Sequence, residues 1–121
     1  MAQSPMQVFE AFRASMMAKS EDWMDLLAEN VSLIGPLAQV EGKSLFIEVN
    51  KPFFSSITDS TLYKLVETED YIITQISTTI AVPSGETLTL EVSEWYEIRE
   101  GLLQSLRVYF DTAEFLKAVT G

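Results

Sequence analysis

Apolar residues recur at helical spacing through the first half of the chain. The clearest stripe is Val8, Phe9, Phe12 and Met16, which predicts one amphipathic helix. A typical helix start precedes this stripe: Ser4 is the N-cap, Pro5 the first helical residue and Gln7 the third.

Further helical and extended segments follow before residue 57. Ser20-Glu21-Asp22 predicts the start of a second helix. Its predicted buried face is Trp23, Leu26 and Leu27. Residues 31–34 form a short apolar run, predicted as a strand. Gly42-Lys43-Ser44 opens a third helix, and Pro52 is expected to kink or split that helix near Asn50 and Lys51. Its predicted apolar register is Leu45, Val49 and Phe53.

After Ile57 the apolar period changes from 3.6 to two, which predicts strands. The four runs are Thr61–Glu67, Tyr71–Val82, Glu86–Arg99 and Leu102–Phe110. Short polar joints with Gly85 and Gly101 predict hairpin turns, and hence an antiparallel meander. Two of the runs exceed ten residues, so bends or bulges are expected. Asp111-Thr112-Ala113-Glu114 predicts the capping box of a last helical turn.

Helices followed by a meander indicate an α+β fold in one domain spanning residues 1–121. We expect the N-terminal helices to pack on one face of a curved, mainly antiparallel sheet. Such a sheet curling round helices leaves a cone with a mouth, where a pocket is expected.

One carboxylate stands on an apolar strand face. In the run around EVSEWYEIREG (residues 91–101), one face carries Leu88, Leu90, Val92, Glu94, Tyr96 and Ile98. Glu94 is the only charged residue of that face. Three interpretations remain open: a pocket carboxylate with a raised pKa, a structural carboxylate paired with a hydroxyl such as that of Tyr96 or Tyr63, or a bulge that turns Glu94 to solvent.

Composition excludes several kinds of chemistry. The formal net charge is −10, from 8 basic and 18 acidic residues, which argues against binding to nucleic acid or to an anionic membrane. The chain has no Cys and no His, so thiol nucleophiles, thiolate zinc sites and a Ser–His–Asp triad are impossible. No cofactor or metal site is predicted. No signal peptide or membrane span is visible, and the cytoplasm is the expected location.

The order of segments carries a resemblance across nearly the whole chain. The segments are SEDWMDLLAENVSL (20–33), GPLAQVEGKSLF (35–46) and EGLLQSLRVYFDTAEF (100–115). The sequence resembles the NTF2-like superfamily, and within it the SnoaL-like and ketosteroid-isomerase-like branch. The resemblance implies a cone that binds a small apolar molecule, in some members with isomerase or cyclase activity. Other members bind proteins and catalyse no known reaction, so the fold alone does not determine the function.

The resemblance also implies roles for single positions. Glu94 matches the neutral carboxylic acid that ketosteroid isomerases place on a pocket strand, an enzyme that is itself a standard example of this pKa tuning. Phe12 stands at the position of their Tyr partner, and Gly35 at that of their general base. With both chemistries lost, steroid isomerisation by that mechanism is not expected, and whether the chain is an enzyme stays open.

The hypothesis from sequence is therefore a small hydrophobic-molecule binder whose pocket is oriented by Glu94, its candidate catalytic residue. The predicted ligand-binding walls are Phe12, Met16, Leu27, Ile34, Phe53, Tyr96, Val108 and Phe110. Trp95 and Tyr109 point to the other sheet face, where large aromatics predict a homodimer interface. The alternative hypothesis is a non-catalytic protein-interaction module with a filled interior.

Overall fold

The computed structural model describes residues 3–120. Its α-helices are α1 (Pro5–Met17), α2 (Lys43–Ser56) and α3 (Thr112–Thr120), with a short 3₁₀ helix at Asp22–Leu26. Its strands are β1 (Leu27–Ile34), β2 (Gln39–Glu41), β3 (Ile57–Glu67), β4 (Tyr71–Ala81), β5 (Thr87–Arg99) and β6 (Leu102–Phe110).

The six strands form one sheet in the order β2-β1-β6-β5-β4-β3. β1 runs parallel to β6, whereas the other neighbouring strands are antiparallel. The predicted meander is β3 to β6, and the two short N-terminal strands extend it beyond β6. The expected α+β architecture, with a curved and mainly antiparallel sheet, is confirmed.

The long strands are interrupted by register shifts, as their length predicted. β3 and β4 shift between Ile57 and Asp59 and again between Leu62 and Lys64, and β5 and β6 shift after Glu97. Each shift adds local twist to the sheet. The turns at Gly85 and Gly101 have φ values of +90° and +75°, which glycine adopts without steric cost.

α1 begins with the predicted capping box. The Ser4 hydroxyl accepts from the Gln7 amide at 3.2 Å, and the Ser4 amide donates to Gln7 Oε1 at 2.9 Å. The buried face of α1 packs onto the sheet. Its central residue is Phe12, which is 1% exposed and makes edge-to-face contacts with Trp23, Phe54 and Tyr96 at centroid distances of 5.8–5.9 Å. These rings join two helices, the 3₁₀ turn and the sheet in one core.

The second predicted helix is shorter than expected. It is a single 3₁₀ segment, and Leu27 already begins β1. A local contact fixes this change of direction, because Ser15 Oγ accepts from the Trp23 amide at 2.8 Å. The predicted strand at residues 31–34 therefore grows to eight residues. β2 was not predicted, because three residues are too few for an alternation signal.

The register predicted for α2 is wrong by one position. Phe46, Asn50 and Phe54 form its buried face, while Leu45 is exposed. Pro52 lies inside α2 and does not split it. Packing of Phe54 against Trp23 at 5.0 Å holds the last turn in place. Lys19 Nζ adds a hydrogen bond to the Phe54 carbonyl at 2.8 Å and another to the Ile57 carbonyl, which satisfies carbonyls at the helix end.

The C-terminal helix α3 extends well past the single turn that was predicted. Asp111 Oδ1 accepts from the Ala113 amide at 2.9 Å, as expected for an N-cap. Phe115 of α3 packs edge-to-face on Phe110 at 5.9 Å. None of the helices within residues 3–120 has the length and apolar character needed to cross a bilayer.

The Phe12 contacts predict a large stability effect. Phe12→Ala should lower the free energy of unfolding by about 3–5 kcal/mol, because it leaves a cavity among aromatic rings. Tyr63→Ala is the matched control: Tyr63 is 58% exposed, so its truncation should stay within about 0.5 kcal/mol. Urea denaturation of both variants measures the difference, and equal losses would contradict the assignment of Phe12 to the core.

Candidate functional site

A cavity of about 130 Å³ lies between α2 and the sheet. α2 forms one wall, and the inward faces of β4, β5 and β6 form the opposite wall. The turn after β1, residues 35–38, borders it as well. Pro36 and Leu37 of this turn are exposed, so we place the mouth of the cavity beside them. Almost all of the lining is apolar, apart from Asn50, Thr78 and Glu94.

Five of the nine residues predicted for the site line this cavity. They are Met16, Phe53, Glu94, Val108 and Phe110. They come from α1, α2 and the last two strands of the meander, β5 and β6, and the helices are far from these strands in sequence. On β5 and β6, Leu90, Val92 and Leu106 line the cavity as well and were not predicted.

Phe12, Leu27 and Tyr96 lie outside the lining, in the packed core. Each is at most 3% exposed, and Phe12 and Tyr96 contact each other edge-to-face at 5.9 Å. Their side chains point inward as predicted, but they lie in a part of the core that does not border the cavity. Neighbouring side chains fill the space around them.

The prediction for Ile34 is wrong. Ile34 faces a groove on the outer side of the sheet, and Leu33 lines the cavity in its place. The alternation within residues 31–34 is regular, with Val31 and Leu33 buried and Ile34 on the same side as the polar Ser32. The period of two within this short strand therefore already assigns Ile34 to the outer face.

Glu94 points inward from the middle of β5. Thr74 on β4 is its direct cross-strand neighbour, and Thr74 Oγ1 donates to Glu94 Oε1 at 3.0 Å. Glu94 is half-buried and lines the cavity. The interpretation that a bulge turns Glu94 to solvent is therefore wrong. The carboxylate accepts from a hydroxyl and also lines the cavity, so the geometry has features of both the structural and the pocket interpretation.

Burial raises the pKa of Glu94 above its usual value of 4.5. Hydrogen bonds with Thr74 and Tyr96, and the positive charge of Arg13, lower that pKa without cancelling the effect of burial. Burial and the neighbouring Glu94 charge raise the pKa of the Tyr96 phenol well above 10.0. Tyr96 is therefore a neutral hydrogen-bond donor beside the carboxyl group.

Arg13 is a cation that acts on this carboxyl group and that the sequence analysis did not single out. Its guanidinium donates to the hydroxyl and the carbonyl of Ser60, both at 3.3 Å. The Ser60 hydroxyl in turn lies 3.4 Å from that of Thr78, which lines the cavity. A signal existed in the sequence, because Arg13 follows Phe9 by four residues and so borders the apolar stripe of α1.

Asn50 is the second polar residue that the sequence reading missed. It is 6% exposed on the buried face of α2, and its Nδ2 donates to the Phe46 carbonyl at 2.9 Å. It lines the same cavity as Glu94 from the opposite wall. Tyr63, one of the hydroxyl partners suggested for Glu94, is instead exposed on β3. Tyr71 packs against Trp95 at 6.1 Å on the outer face.

Besides Glu94, the resemblance linked positions 12 and 35 to catalysis, and neither contributes a titratable group. Phe12 is in the core. Gly35 does line the cavity, and a Cβ added there would lie 3.8 Å from Val108 Cβ, which is an ordinary contact. Backbone geometry therefore does not require glycine at 35; the position simply lacks a base. Within the described residues, no three Asp or Glu side chains converge in a way that could hold a metal ion.

The outer face carries the aromatic residues expected there. Trp95 and Tyr109 are 40% and 53% exposed and border a shallow groove that also includes Tyr71, Arg107 and Glu97. Arg99 pairs with Glu97 at 2.9 Å on this side of the sheet. β5 therefore presents the cavity carboxyl on one face and an aromatic surface on the other.

The raised pKa of Glu94 predicts a pH effect on stability. A carboxyl whose pKa is higher in the folded state contributes stability fully below pH 4.5 and loses it as pH rises through the folded pKa. Glu94→Gln removes this titration, so its stability relative to the wild type should increase from pH 4.5 to neutral pH. Urea denaturation across this range measures it. Glu91→Gln, which changes an exposed carboxylate of the same strand, should not reproduce the trend.

No protein-family model and no curated protein matches the sequence, but solved structures do. An NTF2-like protein of unknown function from Burkholderia pseudomallei K96243 is 16% identical at TM-score 0.83, covering 96% of this chain and 97% of that one. A protein provisionally named a SnoaL-like polyketide cyclase, from Jannaschia sp. CCS1, is 15% identical at TM-score 0.80, covering 100% and 98%. TerC, co-crystallized with polyporic acid, is 16% identical at TM-score 0.80, covering 96% and 98%. At such low sequence identities these structures show a shared fold and nothing more. The predicted resemblance is confirmed at this level: the chain has the NTF2-like fold.

Proposed function

We propose that the protein binds a small hydrophobic molecule in the cavity between α2 and the sheet. The observation that carries this proposal is a carboxyl group, Glu94, open to an otherwise apolar cavity. Apolar walls supply binding free energy through burial, and a few fixed polar groups orient the ligand. Glu94 suits the second role because Thr74 holds its Oε1 in place at 3.0 Å.

We extend this proposal to acid–base chemistry of the isomerase or cyclase type at Glu94. A carboxyl group with a raised pKa can give or take a proton closer to neutral pH than an ordinary one. Among structures of the same fold, one that is provisionally named a polyketide cyclase supports this class of activity by similarity, and one crystallised with polyporic acid supports the binding of a small molecule. Both are likenesses of fold, so the proposal rests on the cavity itself.

The alternative is a non-catalytic protein-interaction module. That function does not require an internal cavity, and it predicts a filled core. The cavity beside Glu94 favours the ligand proposal over this alternative.

We also propose that the outer sheet face forms a homodimer. Trp95 and Tyr109 expose large aromatic surfaces next to one another, since Ser93 pairs with Tyr109 and Trp95 pairs with Arg107 in the register of β5 and β6. Exposed aromatic side chains surrounded by polar residues are typical of the centre of an interface. Ser32, Ser105 and Glu97 provide the polar surroundings.

Glu94→Gln tests the ligand proposal. We expect the variant to fold, because Gln keeps the size of Glu and can still accept from Thr74. The amount of small molecule that co-purifies with the protein should change, as measured by native mass spectrometry. The matched control is Glu91→Gln, which should retain the wild-type complement. A ligand load that is the same in both variants would contradict a role for Glu94 in binding.

Sedimentation velocity at micromolar concentration tests the dimer. The wild type should sediment as a dimer, and Trp95→Glu should shift it to monomer, because it replaces the largest apolar side chain of the proposed interface by a charge whose desolvation is costly. Tyr63→Glu changes an equally large exposed aromatic residue on β3 and should leave the dimer intact. A wild type that is monomeric throughout would end this proposal.

A further inference from the structure

The size of the cavity limits what it can hold. Ligand pockets for drug-sized molecules usually measure roughly 300–1,000 Å³, whereas this cavity measures about 130 Å³. An engineered apolar cavity of about 150 Å³ binds benzene. The enclosed space therefore suits one six-membered ring, and any second ring would have to lie outside, against the exposed turn at Pro36 and Leu37.

The charges around the cavity select against anions. None of the Lys and Arg side chains of residues 3–120 lines it. Arg13, which acts on Glu94 electrostatically, donates one N–H from each of its terminal nitrogens to Ser60 and does not line the cavity. A carboxylate or phosphate on a ligand would lose its hydration without gaining a cation, and it would meet the Glu94 carboxyl group. Desolvation of such an unpaired charge is strongly unfavourable.

Asn50 offers the ligand an acceptor. Its Nδ2 is engaged by the Phe46 carbonyl, and no protein group within residues 3–120 donates to its Oδ1. No side-chain oxygen or nitrogen that is sealed from solvent lacks a partner in this part of the chain. Oδ1 is therefore accessible, and since Asn50 is 6% exposed and lines the cavity, that access is from the cavity. An amide oxygen in this position requires an O–H or N–H donor from whatever binds there.

We infer that the cavity is specific for uncharged one-ring molecules that carry a hydroxyl or N–H group, and that Asn50 is the residue that recognises this group. The inference deepens the proposed ligand function and depends on it. Glu94 faces the same space from the sheet, so a ligand bound to Asn50 lies with its ring between the helix wall and the carboxyl group. A binding site that hydrogen-bonds a donor rejects the analogue that lacks it, because its own polar group is then left unpaired.

Four probes of known chemistry test the inference: benzyl alcohol, toluene, benzoate and 2-naphthalenemethanol. Each is titrated into the ¹⁵N-labelled protein, and amide shifts of the cavity residues give both the affinity and the location. Benzyl alcohol should bind about two- to tenfold more tightly than toluene, the range that one net hydrogen bond supplies. Benzoate should give no saturable shifts at the cavity, and 2-naphthalenemethanol should bind more weakly than benzyl alcohol.

Two variants assign the preference to Asn50. Asn50→Leu keeps a side chain of similar size but removes the acceptor, so the ratio of benzyl alcohol to toluene affinity should fall to about one. Asn30→Leu makes the same change at an exposed position of β1 and should retain the wild-type ratio. Amide spectra of both variants confirm that the fold is kept.

The outcomes separate the inference from the function on which it depends. If no neutral probe, toluene included, shifts the cavity residues, both the ligand proposal and the inference fail. If toluene enters but benzoate binds as tightly as benzyl alcohol, or Asn50→Leu retains the preference, only the inference is overturned and the ligand proposal stands. A 2-naphthalenemethanol affinity equal to that of benzyl alcohol overturns the one-ring limit.

Discussion

The hydrogen bond between Thr74 and Glu94 is the contact on which the proposed site depends. A carboxyl group on the buried face of a sheet is costly unless its oxygens are paired. Here the pairing comes from the direct cross-strand neighbour, at 3.0 Å, so the register of β4 and β5 fixes the position of the group. Burial then raises its pKa, and Tyr96 and Arg13 counteract that rise. One backbone register thus determines the place, the orientation and the proton affinity of the candidate catalytic residue.

Much of the fold followed from the sequence because its signals are local and periodic. The alternation along β5 placed Glu94 inside and Trp95 outside, and the capping box placed the start of α1 at the correct residue. One failure was avoidable, because the alternation of residues 31–34 already places Ile34 on the same face as the polar Ser32. Other failures depend on contacts between distant segments. Whether an inward apolar side chain lines a cavity or fills the core depends on what packs opposite it, as Phe12 and Tyr96 demonstrate.

The polar residues of the site were only partly predictable for a related reason. Glu94 stood out because its neighbours on the same face are apolar. Asn50 and Arg13 lie on helices, where a polar residue at the edge of an apolar stripe is common and usually solvated. Their roles arise from the sheet beneath them: Arg13 reaches Ser60 on β3, and Asn50 meets the cavity above β4 and β5. A chain without His or Cys draws its chemistry from such groups, so these are the positions where single-sequence reasoning has the least information.

The succession of Glu94 and Trp95 along β5 has a mechanical consequence. One peptide unit joins Glu94, whose side chain faces the cavity, to Trp95, whose side chain lies on the outer face of the sheet. Because the two side chains share one stretch of backbone, a displacement of β5 moves both of them. If covering the outer face displaced β5, the carboxyl group would move with it, and occupancy of the cavity and covering of the outer face would then influence each other equally.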